Sequence, residues 1–279
     1  MVASIPRRID PRMSVPSGRV PAIPLTIFQT FKSTDVPERM QEAAKSWSEL
    51  NPSFTYRFFD DEECRHFIEK YFDARTLEAY DRIEGGAFRA DFWRLCVLIV
   101  HGGVYADVDS ICAVDLLDVL EDADVFVTSR AGNLKWGLYN GFICTVPRHP
   151  FLERAIARSC EEILNARPGE YFDGYTITGP GNLGMAVNLC LGRRKKASFE
   201  WGVHSTGPFR YRFFRKVAKK PGKAGYLVDG ETLIAYTDYP EYREDMESTG
   251  NVHWTSTLRR EPLFKRALRK GRRIIRRFI

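Results

Sequence analysis

Apolar side chains recur at helical spacing between residues 86 and 100, where Phe88, Phe92, Leu95, Cys96 and Ile99 share one face. This pattern predicts an amphipathic helix. The same reading predicts a helix after Asp35, which can cap it, with Met40, Ala43, Ala44, Trp47 and Leu50 buried. Phe54, Tyr56 and Phe58 alternate as a strand, and Asp60 caps the helix that follows. A first strand is expected at 23–28 and further strands at 125–128 and 142–146. Helices are expected at 151–164, with Leu152, Ala155, Ile156, Cys160, Ile163 and Leu164 on one side, and at 181–191. Residues 193–196 read as a short basic loop. Beyond Phe199 the pattern weakens to short strands and turns around 226–236. Strands alternating with helices predict an α/β sandwich around a mainly parallel sheet. In such sheets ligands lie at the carboxyl ends of the strands.

One of those ends carries chemistry. His101-Gly102-Gly103 breaks the helix, an apolar run Val104-Tyr105-Ala106 follows, and then come Asp107-Val108-Asp109-Ser110. On a strand, residues i and i+2 face the same way, so the two carboxylates are expected to converge. Like charges this close repel unless a cation joins them. Oxygen donors suit Mg²⁺ or Mn²⁺, and Mg²⁺ binds through one or two carboxylates plus substrate phosphates. On the preceding helix Asp91 and Arg94 are three residues apart and share a face. Arg94 offers a fork for phosphate or carboxylate, and Asp91 can accept hydrogen bonds from ribose or sugar hydroxyls.

With these residues in view, the run from Phe88 through Asp91 and Arg94 to Gly103-Val104-Tyr105-Ala106-Asp107-Val108-Asp109 resembles the DXD region of glycosyltransferase family 32. That family includes yeast-type mannosyltransferases and bacterial capsule or lipopolysaccharide transferases, and is related to the clostridial glucosylating toxins. The likeness extends upstream to Ile23-Pro24-Leu25-Thr26-Ile27-Phe28-Gln29-Thr30-Phe31-Lys32. Downstream it includes Asn140-Gly141-Phe142, Pro147-Arg148-His149-Pro150 and Thr178-Gly179-Pro180. It covers residues 23–185 well and the last third loosely.

The resemblance implies a GT-A type nucleotide-binding α/β/α sandwich. It also implies a metal-dependent transferase that moves a sugar from a UDP- or GDP-sugar to a glycan or glycolipid acceptor with retention of configuration. On this basis Asp109 ligates Mn²⁺ or Mg²⁺ directly. Asp107 acts through water or holds donor hydroxyls, Asn140 lies beside the transferred sugar, and Asp91, Arg94 and Tyr105 contact the donor. Phe31 takes the place of the family tryptophan that stacks on the base, and Phe28 replaces a histidine. His253, before Trp254, stands where a related element can complete the metal site, although the family's later Ser-Trp is missing because Thr257 follows Ser256. Two other readings stay open at this point: a non-catalytic nucleotide- or glycan-binding protein on the same fold, and an Asp-x-Asp phosphatase. The second fits poorly, because Asp91 and Arg94 have no role in it.

The 279-residue length allows one large domain, expected here as a flexible Pro/Arg-rich arm at 1–22, the transferase domain at 23–258 and a basic helix at 259–279. The net charge of +6 comes from that last segment. It holds ten Lys or Arg and one acid, while the remaining 258 residues hold 32 basic and 35 acidic side chains. The body is therefore not basic by composition, and no specific nucleic acid is expected. In 263–279 Phe264, Leu268, Ile275 and Phe278 form an apolar face flanked by cations, a pattern that suits an anionic membrane surface. No apolar run reaches about 18 residues and the start lacks an apolar leader core. The six cysteines are widely spaced with no Cys-x-x-Cys, so zinc is not expected and a reducing compartment fits. The expected location is cytoplasmic and peripheral to the inner face of the membrane.

Overall fold

The computed structural model describes residues 2–132, 134–166, 173–207, 209–218 and 224–249. Six strands make the centre: β1 (Thr26–Thr30), β2 (Thr55–Phe59), β3 (Gly103–Ala106), β4 (Phe126–Arg130), β5 (Leu138–Thr145) and β6 (Phe209–Val217). Their order across the sheet is β2-β1-β3-β5-β4-β6. The β1/β2, β1/β3 and β4/β6 ladders are parallel, and β5 is antiparallel to both its neighbours. Five of the six strands therefore point the same way, and their carboxyl ends share one edge. The mainly parallel sheet predicted from the sequence is present.

Helices cover both faces. On one side lie α2 (Asp61–Tyr71), α3 (Ala74–Asp81), α4 (Gly86–His101), α5 (Pro150–Asn165) and α6 (Pro180–Cys190), over a core that includes Phe92, Trp93, Leu95, Phe126 and Phe151. On the other side α1 (Glu38–Leu50) packs with the turn Leu116–Asp118 and a hairpin of Tyr226–Asp229 and Thr232–Tyr236. Its Trp47 is fully buried and donates its indole N–H to the Ser110 carbonyl at 3.0 Å. A core side chain thus fixes the loop that carries the aspartates. Among the described residues, no helix is long and apolar enough to cross a membrane.

Local chemistry explains several boundaries. Asp60 caps α2 in a capping box: its side chain accepts from the Glu63 N–H, and Glu63 accepts from the Asp60 N–H. Asp35 does not cap α1. It lies in a short strand, Asp35–Pro37, and the helix starts after Pro37. That strand is occupied because Val2–Ser4 pairs with it antiparallel. The arm expected to be flexible is docked in this part: Arg8–Ile9 extends the sheet beside β2, Ile5 is buried, and Arg7 pairs with Asp60 and Glu63.

The Gly102-Gly103 break is a packing requirement. Both residues have positive φ, 64° and 98°. A Cβ on Gly103 would lie 2.5 Å from the Thr26 carbonyl oxygen, and one on Gly102 2.7 Å from Pro147. Only glycine lets α4 stop and β3 enter the sheet at once.

Candidate active site

The carboxyl ends of β1, β3, β4 and β6 and the start of β5 meet at one edge, and the sequence-predicted residues gather there. β3 ends at Ala106, so Asp107 to Ser110 form a turn rather than a strand, closed by the Ser110 N–H on the Asp107 carbonyl at 3.1 Å. Strand alternation therefore does not bring Asp107 and Asp109 together. The turn does, and it is clamped from several directions. The Asp107 N–H donates to the Gly141 carbonyl at 2.9 Å, and buried Gln29 donates to the Asp107 carbonyl at 3.1 Å. The Tyr239 N–H donates to the Asp109 carbonyl at 2.8 Å.

Arg94 is the hub. It is 4% exposed and lies one turn along α4 from Asp91. Its guanidinium contacts Asp91 Oδ1 at 3.0 Å and Asp107 Oδ1 at 3.1 Å. It also donates to the backbone carbonyls of Asn140 at 2.6 Å and Ala90 at 3.1 Å, and stacks over the Tyr105 ring at 4.3 Å. Tyr105, 1% exposed, donates its hydroxyl to Asp107 Oδ1 at 3.1 Å. Asn140, 4% exposed, donates its amide to Asp91 Oδ1 at 2.9 Å. Asp91, Arg94, Tyr105, Asp107 and Asn140 thus form one hydrogen-bonded unit.

This unit revises the expected roles. The Arg94 fork is spent on protein carboxylates and carbonyls, so it orders Asp107 instead of presenting itself to a phosphate. Asn140 lies within β5, not in a turn before Gly141, and its amide is committed to Asp91. Burial lifts the Asp91 carboxyl above its usual range, against the pull of Arg94. The Thr178-Gly179-Pro180 run also reaches the site, since a Cβ on Gly179 would lie 3.2 Å from Asp91 Oδ2. Phe31 follows β1 at the same edge, its ring partly buried against the α1-side core. Phe28 is a core residue stacked on His101, with centroids 6.0 Å apart. His253 and the helix expected at 263–279 lie outside the described residues.

Asp109 differs from Asp107, because none of the Arg94 contacts reaches it. Burial pushes its carboxyl well above the usual carboxylate range, and repulsion from Asp107 and Asp238 adds to the rise. A cation between these groups would relieve that repulsion. Among the described residues no cluster of three His, Cys, Asp or Glu forms a ready metal cage. Two carboxylates at a strand end fit the mode in which Mg²⁺ or Mn²⁺ takes its remaining ligands from phosphate and water.

The pattern of alternating residues missed four contributors. Gln29 accepts from the Tyr56 hydroxyl at 2.7 Å while it holds the Asp107 carbonyl. Tyr139, Lys216 and Asp238 also face the aspartates. Gln29 sits inside the first-strand motif and was therefore visible. The other three carry no local signal.

Gly141 leaves no room for a side chain. An added Cβ would lie 2.2 Å from Asp107 Oδ2 and 2.4 Å from the Tyr139 hydroxyl. Gly141→Ala should push the Asp107 carboxylate aside and lower turnover by about 10²-fold, the cost of misplacing a reacting group by about 1 Å. Full activity in a correctly folded Gly141→Ala protein would show that Asp107 tolerates displacement.

Residues 37–127 match the family model described as the glycosyltransferase sugar-binding region containing the DXD motif. Over this stretch the chain carries the DXD-containing sugar-binding region of glycosyltransferases. The D-x-D triplet Asp107-Val108-Asp109, α4, β3 and the clamped turn all lie within the match. An uncharacterized glycosyltransferase of Acanthamoeba polyphaga mimivirus is 30% identical over 42% of this chain and 47% of its own length. Inositol phosphoceramide mannosyltransferase 2 of Schizosaccharomyces pombe is 36% identical over 49% of this chain and 38% of its own. The chain spans less than half the length of either relative. Among solved structures, the PaToxG glycosyltransferase aligns with a TM-score of 0.49 and 15% identity over 61% of this chain and 70% of that one.

Proposed function

We propose that this chain transfers a sugar from a nucleotide-sugar donor to a glycan or lipid-linked acceptor, with retention of configuration. The observation that carries the reading is the Arg94-centred unit, which fixes Asp107 at the strand edge beside Asp109 within the matched region. In this reading Asp109 ligates a divalent metal, and Asp107, held by Arg94 and Tyr105, acts through water or on donor hydroxyls. A bound Mn²⁺ or Mg²⁺ would neutralise the diphosphate as a Lewis acid. Phe31 supplies a face for the nucleobase, and Asn140 and Asp91 line the sugar side. Among the described residues no side chain stands out as a covalent nucleophile, so we assign a front-face displacement in which the diphosphate helps to deprotonate the acceptor. An inverted product anomer in an NMR time course would overturn that assignment.

The name of the fission yeast relative makes a mannosyl donor and a membrane lipid acceptor the first to try. The test is a screen of UDP- and GDP-sugars with Mn²⁺ or Mg²⁺, read as release of the nucleoside diphosphate. Metal-dependent turnover of one donor supports the reading. Binding without turnover makes the chain a binding protein on this fold, and neither binding nor turnover removes the reading altogether.

We also propose that residues 263–279 hold the enzyme at an anionic cytoplasmic membrane face, on the strength of their cationic flanks and bulky apolar positions. Truncation after Leu258 should abolish sedimentation with phosphatidylserine vesicles. Equal sedimentation of both forms would end the idea.

A further inference from the structure

Among the described residues, Lys216 is a cation of the site that the Arg94 unit does not use. It lies near the end of β6, paired in register with Leu227 of the Tyr226–Asp229 strand. Its ammonium stands over the Tyr139 ring at 3.4 Å from the centroid. Tyr139 is at the start of β5, and its hydroxyl and Asp107 Oδ2 converge on the space that Gly141 leaves open. The carboxylates of Asp107, Asp109 and Asp238 all act on Lys216 electrostatically, yet among the described residues none forms an ion pair with it.

This is an unusual arrangement for a lysine. An ammonium has three N–H donors, and a ring face satisfies its charge without offering a lone pair to accept a directed hydrogen bond. Burial disfavours the ammonium and the three acids favour it, leaving it pulled down to about 8 and still largely charged at neutral pH. Its donors therefore border the same space as the DXD carboxylates while remaining uncommitted to them. A group that can bridge a metal held by Asp109 and this ammonium must be anionic and have oxygens to offer to both.

Resting on the glycosyltransferase reading, we infer that Lys216 binds the diphosphate of the nucleotide-sugar donor beside the DXD aspartates. Tyr139 is its positioning residue, holding the ammonium by its ring face. Lysine acts here as a point charge on phosphate, a role its compact head suits. The ammonium would neutralise charge on the leaving nucleoside diphosphate as the sugar departs.

The experiment compares wild type, Lys216→Met and Lys216→Arg in the full chain, with two probes: Mn²⁺ alone, followed by electron paramagnetic resonance, and UDP or GDP in saturating Mn²⁺. The two probes should respond with opposite signs. Removing a cation beside two carboxylates leaves Mn²⁺ binding unchanged or tighter. Removing a charge-assisted contact to the diphosphate weakens UDP or GDP binding by about ten- to a hundred-fold, and Lys216→Arg should recover most of it. An unchanged nucleotide affinity in Lys216→Met overturns the inference. So does a parallel loss of Mn²⁺ and nucleotide, which marks a merely structural lysine. A wild-type chain that binds neither UDP nor GDP fails one step earlier, at the glycosyltransferase reading itself.

Discussion

Asp109→Asn is expected to lower metal-dependent turnover of the nucleotide sugar by at least about 10³-fold while leaving the fold intact. The side chains have nearly the same shape, and among the described residues the anchor of Asp109 is its backbone carbonyl, which accepts from the Tyr239 N–H whatever the side chain is. Stability should hold or rise, because the substitution removes a carboxylate that burial and its neighbours Asp107 and Asp238 disfavour. The amide also removes the negative charge that draws a divalent cation to this turn. Asp107 cannot replace it, since its Oδ1 is held by Arg94 and by the Tyr105 hydroxyl. The contrast is the informative part: activity collapses while the melting temperature stays level or climbs. The measurements are nucleoside diphosphate release with Mn²⁺ and a thermal melt without ligand. Turnover within tenfold of wild type would show that Asp109 is not the metal-binding residue.

How much of this was readable before the fold was known depended on whether a residue's partner lay nearby in the chain. Helix α4 came through because five apolar positions at helical spacing outweigh everything else in that stretch, and the observed helix, Gly86–His101, exceeds the reading by one residue. The DXD turn came through because a glycine pair, an apolar strand and two acids follow one another. The role of Arg94 did not. A guanidinium three residues from an aspartate looks like a surface pair or a ligand clamp, and only packing α4 against the start of β5 reveals the buried Asn140 carbonyl as a partner. The N-terminal arm was misread for the same reason: Val2–Ser4 is too short to form a strand by itself and becomes one through pairing with Asp35–Pro37, some thirty residues away. Lys216 lies beyond Phe199, where the pattern weakens, and nothing local marks it as standing over an aromatic ring contributed by β5. Periodicity reports which face is buried. It says nothing about which polar groups meet across the sheet.

Arg94 should show the reverse of the Asp109 pattern, losing activity and stability together. Arg94→Met keeps the length and apolar stem of the side chain but leaves Asp91 and Asn140 facing each other without a cation and frees Asp107 to move. Breaking a buried pair by removing one partner costs about 3–5 kcal/mol, and at about 2–4 °C per kcal/mol for a domain of this size the melting temperature should fall by roughly 6–20 °C. Turnover should fall by about 10³-fold, because the Asp107 carboxylate loses its guanidinium partner and keeps the Tyr105 hydroxyl. Arg94→Lys restores the charge but cannot bridge Asp91 Oδ1, Asp107 Oδ1 and two carbonyls at once, so it should regain part of the stability and little of the activity. Adding Asp91→Asn to Arg94→Met separates the two effects. The double variant no longer buries an unpaired carboxylate at position 91 and should melt higher than Arg94→Met, yet it still lacks the group that holds Asp107 and should stay inactive. Recovery of turnover in the double variant would mean that Arg94 serves the fold alone. Near wild-type turnover in Arg94→Met would mean that Asp107 needs no guanidinium to hold it at the edge of the sheet.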